Sequence, residues 1–150
     1  MTAALRKFPI LSEMSDEMLT VFSRYLTTRR FKNDSLIFVE NMSGESLFLI
    51  DSGYVSLTKM VAEGVEKRLV RLGPGDSFGE LAVIDEGPRV VTARADEDTQ
   101  TLILSREGLT RLSSEHPEIA VAFILALFRK TVLLVRGNVP LMTESLGGET

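Results

Sequence analysis

The sequence predicts a mainly β domain with flanking helices: an antiparallel jelly roll or barrel, preceded by a helix and closed by two more. Three observations carry this. Short β-favouring runs recur from Thr28 to Leu104, separated by turn residues and broken by one short helical stretch. An amphipathic segment precedes them. A long, apolar, helix-favouring segment follows them.

Phe8 to Leu26 reads as a helical lead-in. Met18, Leu19, Phe22, Tyr25 and Leu26 recur at three- and four-residue steps, and Ser15 is placed to cap the first turn ahead of Asp16 and Glu17. Phe8 and Leu11 staple its entry. The β runs begin with Phe31 and with Leu36 to Val39, around a turn at Asn33-Asp34. Leu47 to Ile50 and Tyr54 to Met60 then flank Asp51-Ser52-Gly53, a hairpin pattern. Glu63-Gly64 turns into Lys67 to Leu72. Val90 to Asp96 and Thr101 to Leu104, divided by Glu97-Asp98, complete the set.

Ser105 to Ser114 reads as a helix, and Pro117 opens a longer one, since proline is tolerated at the first helical position. This helix is expected to stop near Arg136, where Gly137-Asn138 and Pro140 follow. It is apolar nearly all round. A membrane span is excluded by count, because only ten consecutive apolar residues precede Arg129-Lys130, against roughly twenty needed. Such a helix must bury two faces, one on the β domain and the other on a ligand, a helix or a second subunit. Leu141 to Thr150 reads as a frayed polar tail. The expected organisation is one domain over 1–150: lead-in 1–27, β-roll 28–104, helices 105–136, tail 137–150.

At 150 residues the chain can bury a sizeable core. It holds no cysteine and one histidine, His116, which rules out thiolate chemistry and histidine-rich metal sites. No catalytic residue, metal or cofactor is expected. A net charge of −4 gives no footprint for nucleic acid. Met1 to Pro9 lacks the apolar core of a signal peptide, so a cytoplasmic protein is expected.

The informative stretch runs from Gly73 to Ala93, GPGDSFGELAVIDEGPRVVTA. Gly73-Pro74-Gly75-Asp76 is a turn. Phe78 to Ile84 reads as a short helix entered through Gly79, whose first amides face outward as an anion cradle. Gly79 has no Cβ to block close approach. Arg89 supplies a forked pair of donors suited to phosphate. Glu80 is out of place beside an anion unless it accepts hydrogen bonds from neutral hydroxyls. A phosphodiester next to a sugar hydroxyl satisfies both.

These residues resemble the phosphate-binding cassette of the cyclic nucleotide-binding domain family, which includes the regulatory subunits of cyclic-AMP-dependent kinase and the bacterial catabolite activator. Phe78, Gly79, Glu80, Leu81 and Ala82 match its F-G-E-L-A element, and Arg89 and Thr92 match its R-x-A-T element, nine residues after Glu80. FLIDSGYVSLTK is similar to the family's second marked segment. The resemblance implies an antiparallel β-roll (a double-stranded β-helix) with the cassette at 73–93. It also implies a ligand site at Phe78, Gly79, Glu80, Leu81, Ala82, Arg89, Val90, Val91 and Thr92. The amides of Gly79 to Ala82 and Arg89 would hold the phosphate, and Glu80 the ribose. In the family the long helix caps the base; register from Pro117 places Leu134, Val135 and Arg136 there. Val91 departs from the family's small alanine, and its extra methyls either pack into the core or narrow the site.

The implied function is a regulatory sensor binding cyclic AMP or cyclic GMP, which signals through its C-terminal helix. Relatives selective for cyclic GMP often carry a threonine directly after the cassette arginine; Val90 stands there, which favours cyclic AMP. The alternative is an interaction or dimerisation module that has lost the nucleotide or binds another small effector. The activators' DNA-binding module is not expected, since only fourteen residues follow Arg136. The chain then signals to a separate effector protein, pairs as a homodimer through 117–136, or is part of something longer.

Overall fold

The computed structural model describes residues 2–147, with side chains from 3 to 137. The lead-in comprises Thr2–Leu5 (α1), a 3-10 turn at Pro9–Leu11 and Asp16–Ser23 (α2). The single helix expected from Phe8 to Leu26 is therefore divided. Pro9 has no amide to give a helix interior, and Ser15 starts a fresh helix by accepting the Met18 amide at 3.2 Å.

The strands are Thr27–Phe31 (β1), Leu36–Phe38 (β2), Ser46–Ser52 (β3), Val55–Ala62 (β4), Val65–Leu72 (β5), Ser77–Phe78 (β6), Thr92–Ala95 (β7) and Thr99–Ser105 (β8). They form two antiparallel sheets, β1-β8-β3-β6 and β2-β7-β4-β5, which is the expected β-roll. Strand β3 is covered on both faces. Leu47 and Leu49 face a core made with the helices, while Phe48 and Ile50, pointing the opposite way, join Phe31, Val55, Phe78, Ala93 and Ala95 inside the roll.

Two local expectations are corrected in the cassette. Phe78 does not open a helix; with Ser77 it forms a short strand, paired with Phe48 and Leu49. Gly79 then takes φ +78°, a left-handed conformation no right-handed helix contains, so the helix (α3) covers only Leu81–Ile84. Val90 and Val91 precede β7 rather than belonging to it; just before them Pro88 bridges to Ser43.

The first C-terminal helix, Arg106–Glu115 (α4), is capped by Ser105, whose Oγ accepts the Gly108 amide at 2.9 Å. The second, Pro117–Gly147 (α5), runs past its expected stop. Glycine and proline cost a helix roughly 1 and 3 kcal/mol, but extending a helix already nucleated over twenty residues is far easier than starting one. The segment read as tail is helical to Gly147, and 148–150 lie outside the described residues. Ile119, Ala120, Phe123 and Leu127 bury one face of α5, with the Phe123 ring 5.1 Å from that of Phe22. Among the described residues, no helix is long and apolar enough to cross a membrane.

Candidate ligand-binding site

A cavity of about 910 Å³ opens between the cassette, the β4–β5 ribbon and α5. Its polar end is built around Arg89. The β3 floor and the Gly79 turn present carbonyls to this side chain: Nη2 donates to Ser46 O at 2.9 Å and Nη1 to Gly79 O at 3.3 Å. The guanidinium lies 4.0 Å above the centroid of Phe38 and 5.8 Å from that of Phe48. Only 8% of Arg89 is exposed, and Nε is buried with no acceptor. Burial first, and the charge of Arg106 second, hold its pKa below the usual guanidinium value. Among the described residues it has no carboxylate partner. A buried cation in that condition is poised for an anion.

Two glycines make room for it. A Cβ on Gly44 would lie 2.4 Å from Arg89 Nε, and one on Gly79 would lie 2.8 Å from Nη1 and 3.0 Å from Ser46 O. Gly79 is thus required by its positive φ and by the arginine itself, a different reason from the ligand approach expected from sequence. The Ala82 amide, read as part of the anion cradle, is bonded to Gly79 O at 3.3 Å. The amides of Glu80 and Leu81 lie ahead of it, at the turn.

Glu80 sits beside Arg89, half-buried. Its Oε1 accepts from Ser77 Oγ at 2.9 Å and from Lys130 Nζ on α5. That ammonium also donates to Ser77 O at 3.0 Å and Ser77 Oγ at 2.8 Å. Lys130 removes the repulsion that Glu80 would otherwise exert on a phosphate. Arg89, Lys130 and Glu80 together carry one net positive charge, while Asp85 and Glu86 also line the cavity, Glu86 being paired with Arg106. Arg106 braces the other side of the cassette. Its Nη2 donates to Gly44 O at 2.7 Å and Ala82 O at 2.8 Å, and its amide to Glu45 O at 2.7 Å.

Phe78, Gly79, Glu80, Leu81, Ala82, Arg89, Val90 and Val91 all line the cavity, as does Leu134. Val91 is half-buried in its wall. Three expected residues do not line it. Thr92 is buried and its Oγ1 accepts the Glu40 amide at 3.0 Å, which fastens β7 to the loop after β2. Val135 and Arg136 are exposed on other sides of α5. Sequence reasoning passed over Lys130 and Arg106. In sequence Lys130 only ends an apolar run, and nothing marks Arg106. Among the described residues, no group of three His, Asp or Glu is placed to hold a metal ion.

A family model described as the cyclic nucleotide-binding domain matches residues 28–116, the β-roll and α4 together. The chain belongs to the cyclic nucleotide-binding domain family. Its curated relatives include the cyclic AMP receptor protein of Thermus thermophilus, 35% identical over 112 residues, or 75% of this chain and 52% of that protein. A cAMP-dependent protein kinase regulatory subunit of Emericella nidulans is 32% identical over 110 residues, covering 73% of this chain and 26% of that one. This cyclic nucleotide-binding domain thus spans about half the length of the first and a quarter of the second. Among solved structures, the N-terminal domain of a transcriptional regulator from Streptomyces coelicolor superposes with a TM-score of 0.80 at 26% identity, covering 91% of this chain and 95% of that one. These relatives are regulatory proteins.

Proposed function

We propose that the chain is a regulatory sensor that binds a cyclic purine mononucleotide, with cyclic AMP preferred to cyclic GMP. The observation that carries this reading is the buried, carboxylate-free Arg89, with an orphaned Nε, beside a Glu80 neutralised by Lys130. The phosphate lies on Arg89 and the turn amides, and a ribose hydroxyl donates to Glu80. Val90, which lines the cavity after Arg89, offers no hydroxyl to a guanine amine. Thermal unfolding tests the proposal. Cyclic AMP at a hundred times its dissociation constant stabilises by about 2.7 kcal/mol, a shift of roughly 5–10 °C at this size; equimolar cyclic GMP gives less. No shift with either nucleotide leaves the interaction-module reading in its place.

The Glu80 role has its own test. Glu80→Gln is expected to weaken cyclic AMP by about tenfold, the order of one charge-assisted hydrogen bond, and to matter much less for the 2′-deoxy analogue. Equal losses for both ligands would assign Glu80 to holding Lys130 rather than the sugar.

The output is the long helix. Lys130 ties α5 to the cassette through Ser77 and Glu80, so a ligand that recruits Glu80 changes what holds α5. The same helix supports a homodimer. Val121, Leu125 and Phe128 are 55%, 47% and 64% exposed at four- and three-residue steps, one stripe away from the buried face. Each such side chain gains about 1.5–3 kcal/mol on full burial. A second copy covers the stripe about a two-fold axis; the rival cover is a separate effector protein. Sedimentation at micromolar concentration is expected to give a dimer, and Phe128→Glu a monomer. A monomeric parent, with and without nucleotide, would leave the effector as the cover.

A further inference from the structure

Four cations, Arg24, Arg29, Arg30 and Lys32, fall within nine residues, and no carboxylate interrupts the run. The chain as a whole has a net charge of −4, and most of its other lysines and arginines are paired with carboxylates. Among the described residues, none of these four is, and all four are exposed. Arg29 lies 4.9 Å over the Phe31 ring, and Arg30 Nε donates to Gln100 Oε1 at 2.9 Å. The carboxylate behind Gln100 is Asp51, whose charge is answered by Lys7. At the far end Asp98 accepts the Asn33 amide at 2.9 Å, and with Asp34 it marks where the run stops.

This run lies on a sheet edge. β1 pairs with β8 from Thr27 to Phe31 in unbroken register, and the sheet ends there. Among the described residues the backbone of β1 is bonded to β8 alone. The amides and carbonyls of alternate residues therefore face outward without a ladder partner. The other edges are blunted: β2 and β6 have three and two residues, and β5 meets β4 through two register shifts. β1 has neither device.

We propose that the open edge of β1 receives an extended, acidic segment of a partner protein, which adds a strand to the β1-β8-β3-β6 sheet. Main-chain bonds to the edge hold the segment, and its carboxylates at alternate positions meet Arg29 on one face or Arg30 and Lys32 on the other. A second copy of the chain is a poor occupant, because β1 laid against β1 sets arginines against arginines. A nucleic acid strand suits the charge but not the edge, since it has no row of amides and carbonyls to pair. The rings within the run are also engaged: Tyr25 donates to Glu115 at 2.6 Å, and Phe31 is buried, so neither offers a stacking platform. No residue from 24 to 32 lines the nucleotide cavity, and the two sites are independent.

The probe is a fluorescein-labelled peptide of alternating glutamate and valine, titrated with the 150-residue chain by anisotropy while amide exchange is followed in β1. Three comparison ligands accompany it: the same peptide with lysine for glutamate, the acidic peptide N-methylated at alternate amides, and an oligothymidine strand. The acidic peptide is expected to bind and to slow exchange at alternate β1 amides. Arg29→Glu with Arg30→Glu, both at exposed positions, is expected to weaken it by at least about tenfold with the unfolding temperature little changed. Arg89→Ala is expected to leave it unaltered. Equal binding by the lysine or the N-methylated peptide, tighter binding by oligothymidine, or no binding by the acidic peptide would overturn the proposal.

Discussion

Arg89→Ala is expected to abolish tight nucleotide binding and to leave the empty protein as stable as before, or more so. Removing one partner of a buried, charge-assisted contact costs about 2–5 kcal/mol, roughly thirty- to several-thousand-fold in affinity. The second half of the expectation comes from the empty site. Arg89 is 8% exposed and, among the described residues, has no carboxylate partner and leaves Nε without an acceptor. Its neighbour Arg106 is a like charge. The folded chain bears the cost of desolvating this cation without an ion pair to offset it, and alanine removes the cost along with the donors. The Phe38 ring loses its cation–π partner, an effect of about 0.5–2 kcal/mol in the opposite direction. Titration and thermal unfolding of the same variant check both halves. Undiminished binding would put the site elsewhere.

Gly44→Ala is the second large effect, and it acts without touching the ligand. The new methyl would sit 2.4 Å from Nε, 2.6 Å from Cζ and 2.8 Å from Cδ of Arg89. The atoms it meets are the tip of a flexible side chain rather than backbone, so the fold accommodates the methyl and the guanidinium moves away. Affinity is expected to fall by at least about tenfold, since a displaced group loses the bidentate geometry that phosphate rewards, while the unfolding temperature changes little. Gly137→Ala is the matched control: a Cβ there meets nothing within 4 Å, and alanine favours the helix it occupies. If Gly44→Ala binds like the parent, the arginine's seat on Ser46 and Gly79 is not its binding position.

What could be read in the sequence was what depends on neighbours along the chain. The strand runs, the Ser15 and Ser105 caps, and the Glu80-to-Arg89 spacing each report a local backbone requirement. Lys130 was not legible because its partners, Ser77 and Glu80, lie 53 and 50 residues away. Arg106 was missed for the same reason, its acceptors being 62 and 24 residues back. Leu134 lines the cavity and Val135 and Arg136 do not, because one residue along a helix is a turn of about 100°. A three-residue lid cannot lie on one cavity. Helix α5 runs beyond Gly137 and Pro140 because glycine and proline are not absolute terminators but penalties set against a nucleated helix.

The floor and the rim of the site belong to different parts of the protein's timescale. Arg89 rests on Ser46, the first residue of β3, whose Leu47, Leu49 and Ile50 are fully buried and whose ladder is shared with β8 and β6. Such backbone opens only when the whole domain does. The loop that carries Arg89 to that floor, Asp85 to Pro88, is exposed throughout and is tied to the roll through the Pro88–Ser43 bridge and the Gly44 amide on Gly87 O, so it opens at lower cost than the floor. A nucleotide bound as proposed bridges a segment that opens at low cost to one that does not. On the proposed binding mode, the lifetime of the bound state follows how often the rim lets go rather than the floor.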